Sequence, residues 1–303
     1  MYQMRNETIM KKEFIMKSMG SVFRTYLFVL EAYVDAIEQL HNSNNANEIK
    51  SYQGIILRRI VNCMKTLDQV LVLSKDSISA YSLMRTIVDS ICAYCFIYEN
   101  DNNDEVEFRH FLYLLDGCSQ IVNAFPSALN NNGLIEISEE EKYNNELDQE
   151  KTNLIAFHNN LFDYLYNSNI ALSSKSEADI IINRRDWKYR AISHYSEKES
   201  YNWRDIYEKV GCDSFMVNFF STFLSQYVHG LFLSNTKNPN ISVHYSLIYD
   251  IAISLEKRLK LAILNCFKDD NINRRALSHI DLGKLYEMDI DRSSVISYFK
   301  DQK

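Results

Sequence analysis

The stretch Ser79-Ala-Tyr-Ser-Leu-Met-Arg85-Thr-Ile-Val-Asp89-Ser-Ile-Cys92-Ala-Tyr-Cys95-Phe-Ile-Tyr98 holds only two charged side chains. Leu83, Met84, Ile87, Val88, Ile91, Tyr94 and Phe96 cover the rest of it, and a helix that is apolar on every side is buried. Arg85 and Asp89 stand four residues apart, on one face, where they can pair. A charge taken out of water costs several kcal/mol unless it is paired and hydrogen-bonded. The pair therefore either ties helices together or lines a polar cavity.

A second helix, capped by Asp213 and expected to run to about Ser234, carries no charged side chain unless His229 is protonated. Asn218, Thr222, Ser225 and His229 fall at i, i+4, i+7 and i+11, one continuous face. Polar groups on an otherwise apolar helix must find partners inside the fold. The economical partners are Arg85 and Asp89. A Ser225/His229/Asp89 hydrolytic triad is not expected, because a mid-helix serine has no free N–H groups nearby to make an oxyanion hole. A buried, hydrogen-bonded and inert imidazole is the simplest account of His229.

The whole chain reads the same way. Seven Gly and two Pro among 303 residues leave too few turn-formers for a β sandwich or propeller. No G-x-G-x-x-G or P-loop occurs, which sets aside a glycine-loop nucleotide fold. The expected class is all-α, an antiparallel bundle-like array with short connections. The first helix spans about Thr8–His41, with Ile15, Met19, Val22, Tyr26, Val29, Tyr33, Ile37 and Leu40 as its stripe. Others cover about Glu48–Ser74, Ser77–Tyr98, Asp104–Phe125 (stopped by Pro126), Ser138–Tyr166, Arg204–Val210 (closed by Gly211) and Ser242–Phe267. One helical domain, 1–303, is expected, with 168–202 as an irregular, lid-like insertion and 268–303 as a tail of short helices. The insertion is polar and Ser-rich, with one short helix expected near Glu177–Asn183; it clusters Arg184, Arg185, Lys188 and Arg190 around Trp187, and ends beside Trp203. Long irregular segments of this kind often act as lids.

Net charge is −7, so the overall field repels nucleic acid and anionic membrane. Met1–Gly20 has no apolar core of a signal peptide, and no uninterrupted apolar run reaches 18 residues. The six cysteines fall mostly in apolar helical segments, as small core residues of a reducing cytoplasm do. Cys92-Ala-Tyr-Cys95 has no second pair or nearby His, and no H-E-x-x-H or EF-hand loop occurs, so neither metal nor cofactor is expected.

Two resemblances attach to these residues. Tyr81-Ser-Leu-Met-Arg85-Thr-Ile-Val-Asp89 resembles a helix of a large bacterial all-α family of unknown function, which carries an Arg followed four residues later by an acid. That acid is usually Glu, so Asp89 is a departure. Asn202-Trp203-Arg204, leading through Gly211 into Leu224-Ser225-Gln226-Tyr227-Val228-His229-Gly230, is similar to the same family's second signature: Trp, short helix, Gly, then Ser-x-x-x-His. More faintly, Arg274-Arg-Ala-Leu-Ser-His279 is similar to the Arg-x4–6-His motif of the HEPN superfamily of ribonucleases and defence toxins. Arg275 stands there where a small polar residue is usual, and Arg190-Ala-Ile-Ser-His194 is one residue too short.

Two functions follow. In the first, Arg85, Asp89, Asn218, Ser225, His229 and Trp203 form a buried polar site that binds a small polar or anionic ligand or locks the fold. In the second, which rests on the HEPN resemblance, Arg274 and His279 supply a general base and charge stabilisation for 2′-OH attack on RNA in phage defence, at the seam of a homodimer. A cytoplasmic location is expected for both.

Overall fold

A computed structural model describes residues 2–43, 48–129, 137–193, 195, 200–228, 241–280 and 295, with side chains from 18 onward except 124–147 and 241–243. The protein is all-α. Among the described residues there is no strand, only an isolated bridge between Tyr189 and Ser200. The helices are α1 (Tyr2–Leu40), α2 (Ile49–Gln69), α3 (Ser77–Tyr98), α4 (Asn103–Leu129), α5 (Ile137–Tyr166), α6 (Asn169–Ser173), α7 (Lys175–Arg184), α8 (Trp203–Lys209), α9 (Ser214–Asn218), α10 (Ser225–Val228), α11 (Ile241–Cys266) and α12 (Ile272–His279). Two π-helical turns interrupt the ladder: Val70–Ser74 extends α2, and Phe219–Leu224 joins α9 to α10. The chain divides into two compact units, Met1–Glu99 with Trp203–Lys303, and Asn100–Asn202.

In the first unit α1 packs on α2, α11 and α12, and α3 packs on α2 and α11. The α1 stripe is centred on Val29, Tyr33 and Ile37, all fully buried, and Phe23, Leu30 and Val34 widen it. Val22, at the stripe's edge, is 42% exposed. The inward face of α2 is Leu57, Ile60, Val61, Met64 and Leu67, with Tyr52, Ile56 and Cys63 on its flank. A Cβ at Gly54 would stand 3.3 Å from Ile37 Cγ2, so glycine lets α1 and α2 approach closely here. Asp76 caps α3, its carboxylate accepting from the Ile78 N–H at 3.0 Å. By length and mean hydropathy α3 could cross a membrane, but 67% of that window is buried among its neighbours, as the central helix of a bundle is.

The second unit holds α4 to α7, with α5 packed on α4. The helix expected to stop before Pro126 continues to Leu129. The described part of 168–202 is more regular than an irregular insertion: the short helix expected near Glu177–Asn183 is α7, α6 precedes it, and Ile181, Ile182, Trp187 and Tyr189 are buried. Arg109 of α4 explains why. Its Nη1 donates to the carbonyls of Trp187 and Tyr189, each at 3.0 Å, its Nε pairs with Glu105 at 3.1 Å, and its guanidinium lies 3.9 Å over the Tyr189 ring. The Tyr189 hydroxyl donates to Glu105 at 2.8 Å. Carbonyls outside the helices are thus satisfied by one buried cation, beside the Tyr189–Ser200 bridge. Of the expected tail of short helices, everything after residue 280 lies outside the described residues, Val295 apart.

Glu256 of α11 is fully buried, and neither carboxyl oxygen has a hydrogen-bond partner among the described residues. Burial, with the Asp68 charge adding to it, lifts its pKa well above the ordinary 4.5. The folded chain therefore keeps a proton that the unfolded chain releases, and stability falls as pH rises from about 4.5 towards the raised folded value. Glu256→Gln should stabilise the protein by an increment that grows by about 1.4 kcal/mol per pH unit across that window. Urea unfolding of both proteins at pH 5 and pH 8 measures it, and an identical pH dependence would contradict it.

Candidate functional site

The two charges of α3 meet the segment that begins at α8. Arg85 Nε pairs with Asp89 Oδ2 at 2.8 Å, as the four-residue spacing allows, and the two side chains are 14% and 28% exposed. Arg85 Nη1 donates to the Phe220 carbonyl. That carbonyl lies in the π-helical turn, where one extra residue breaks the i→i−4 ladder and lets an outside donor enter. Asp89 Oδ1 accepts from the Tyr207 hydroxyl at 2.5 Å, and the Arg85 guanidinium stands 5.6 Å from the Tyr207 ring centre. Burial, and then the Asp89 carboxylate, push the Tyr207 phenol well above its ordinary range, so it stays protonated as the donor.

Trp203, one turn before Tyr207 on α8, stacks on it with ring centres 5.9 Å apart. Gly211 closes α8 at φ +91°, as expected of a C′ glycine. The Gly211 N–H bonds the Glu208 carbonyl at 3.1 Å and the Cys212 N–H bonds the Tyr207 carbonyl at 3.0 Å, the two bonds of a Schellman turn. Asp213 then caps α9, accepting from Met216 N at 2.8 Å. A turn earlier on α3, Tyr81 bonds its hydroxyl to His244 Nδ1 and packs its ring against Phe223 and Tyr227.

The polar stripe of the second helix does not line up as the sequence predicts. Asn218 and Thr222 are exposed, Ser225 is half-buried, and the inward positions are Val217, Phe220, Leu224 and Tyr227. The i, i+4, i+7, i+11 alignment assumes an unbroken α-helix, and the π turn between Asn218 and Ser225 removes that assumption. Arg85 reaches this element through a main-chain carbonyl instead of a side chain. His229 lies outside the described residues. Of the expected site residues, Arg85, Asp89 and Trp203 are thus brought together around Tyr207, and Asn218 is not. Tyr207 was missed, although its place midway between Trp203 and Gly211, four residues from each, puts it on the face of Trp203.

Arg274 and His279 lie apart. They stand five positions apart on α12, so their side chains diverge by about 140° around the helix. Arg274 is exposed, whereas His279 lines a cleft of about 410 Å³ with Glu31, Asp35 and Asp68. The cations of that cleft are already paired, Arg24 with Asp68 at 3.3 Å and Lys65 with Glu31. No cluster of three metal-ligating side chains is present among the described residues.

Tyr207→Phe should leave one Asp89 oxygen without its donor and cost about 1.5–3 kcal/mol, the range for a hydrogen bond to a charged group. Arg85→Ala should cost more, because it strands both Asp89 and the Phe220 carbonyl. Urea midpoints for the two variants rank them, and an Arg85→Ala protein as stable as wild type would contradict this geometry.

Compared with known proteins, the chain finds no match among curated proteins and none among solved structures. The comparisons lend no support to the HEPN resemblance. One family profile matches residues 53–240, a span that holds Arg85, Asp89, Trp203, Gly211, Ser225 and His229. The chain belongs to the Family of unknown function (DUF5677).

Proposed function

We propose that the Arg85–Asp89–Tyr207 network is a binding site for a small anion, one with a carboxylate or phosphate group. One observation carries this. Arg85 commits Nε to Asp89 and Nη1 to Phe220, and its Nη2 has no partner among the described residues, on a side chain still 14% exposed. A guanidinium held in place on two of its nitrogens offers the third as a preset donor to a planar anion. Asp89 and Tyr207 orient it, and Trp203 supplies an aromatic wall beside it. Ser225 stands on the short helix α10 that packs against α3. All six cysteines are free thiols, which fits a reducing compartment such as the cytoplasm.

Thermal unfolding in the presence of inorganic phosphate, pyrophosphate and citrate tests the proposal. A true ligand at one hundred times its Kd should stabilise the wild type by about 2.7 kcal/mol. Arg85→Lys keeps the charge but loses the fork, and should weaken binding about tenfold, or about 1.4 kcal/mol. Wild-type melting that none of these anions moves, with Arg85→Ala strongly destabilised, would show the network to be a lock of the fold.

A further inference from the structure

Arg24, Leu27, Phe28, Glu31, Ala32 and Asp35 fall at i, i+3, i+4, i+7, i+8 and i+11 on α1, one face of the helix. With Lys65 and Asp68 of α2 and His279 of α12 they line the cleft of about 410 Å³. That volume lies within the ~300–1,000 Å³ of small-molecule sites. Leu27 and Ala32 are buried and Phe28 is half-buried, which gives the cleft an apolar lining along α1. All of these residues belong to the first unit.

The charges around it do not balance. Arg24 pairs with Asp68 at 3.3 Å and Lys65 pairs with Glu31. Arg58 alone serves Asp35 and Glu38, and also stands 3.7 Å from Glu31. In these ion pairs Glu31, Asp35, Glu38 and Asp68 share Arg24, Arg58 and Lys65, four carboxylates on three cations. Both cations that line the cleft are committed, so an entering anion would have to break a pair. Asp68 is further engaged by the Tyr249 hydroxyl at 3.1 Å. Asp35 is the open acid, since it holds only part of Arg58 and is 43% exposed. His279 lines the same space and makes no hydrogen bond among the described residues. A neutral imidazole keeps one ring nitrogen as an acceptor. Carboxylates, an acceptor nitrogen and an aromatic ring are groups that hold an ammonium. A bare metal ion fits less well, because no three metal-ligating side chains converge among the described residues.

We propose that this cleft binds an organic cation, a primary ammonium on a short hydrocarbon stem. The ammonium takes its place at Asp35 and Glu31, beside the Phe28 ring, and His279 accepts one of its N–H bonds. Its positive charge supplies the cation that the four carboxylates lack. The stem lies along Leu27, Phe28 and Ala32, where burial of its methylenes adds affinity. The proposal does not rest on anion binding at Arg85, with which this cleft shares no residue.

Calorimetric titration of the full-length protein with hexylammonium chloride tests it, at constant ionic strength so that screening does not register as binding. Hexanol keeps the stem without the charge, and ammonium chloride keeps the charge without the stem. Hexylammonium should bind saturably and at least about tenfold more tightly than either. Asp35→Asn should weaken its binding about tenfold. Phe28→Leu keeps the apolar volume but removes the ring, and should weaken it about threefold. Circular dichroism checks that both variants are folded, and the contrast among the three compounds on the wild type decides the matter even if one is not. No saturable binding of hexylammonium up to about 10 mM would overturn the proposal. So would hexanol binding as tightly as hexylammonium, or a folded Asp35→Asn protein that binds hexylammonium like the wild type.

Discussion

A guanidinium and a carboxylate placed on a mostly buried helix must be satisfied where they stand, and that constraint organises the first unit. Arg85 and Asp89 neutralise each other, but each is largely withdrawn from water and keeps further hydrogen-bonding capacity. The chain answers from 118 residues downstream of Asp89 and 135 downstream of Arg85, beyond the whole second unit. Tyr207 donates to Asp89 and the Phe220 carbonyl accepts from Arg85. The Schellman turn and the Asp213 cap fix the geometry between those two contacts, and Arg258 holds the far end at Val210. The π-helical turn then has a physical reason to persist, because the carbonyl within it has a charged donor to receive.

The second unit repeats the device with different residues. Arg109 pairs with Glu105 four residues away, as Arg85 does with Asp89. Its Nη1 reaches main-chain carbonyls of a later segment, Trp187 and Tyr189 in place of Phe220. A tyrosine that lies against the guanidinium donates its hydroxyl to the paired acid, Tyr189 to Glu105 and Tyr207 to Asp89. In both cases a buried Arg serves as the hydrogen-bond partner of backbone that has no ladder there, which is where a planar five-donor cation is superior to Lys. The two differ in exposure. Arg109 is 6% exposed and uses Nη1 twice, whereas Arg85 is 14% exposed and keeps Nη2 unengaged, which is why only the latter is read as a binding site.

Much of the fold was legible in the residues because the relevant physics is local. The all-round apolar run of α3, the three-and-four stripe of α1, the Asp213 cap and the Gly211 stop each depend on neighbours within a turn or two. The Arg85–Asp89 pair is of the same kind, since helical spacing alone sets it. The stretch from Asn167 to Asn202 misled for the complementary reason. Its order comes from Arg109, a partner nearly eighty residues earlier, and leaves no periodic trace in its own composition.

What the sequence determined by itself was which helices exist, which of them must be central, and that two buried charges would need partners. Which partners they found was decided only in three dimensions. Ser225 and the stripe with Asn218 were the obvious candidates under an unbroken helix, but a single inserted residue in the π turn turned Asn218 outward and offered a carbonyl instead. The Tyr207 bond to Asp89 likewise follows from a turn docking across α3. Periodicity reports the angle of a side chain around its own axis, and these contacts depend on how two separate axes approach each other.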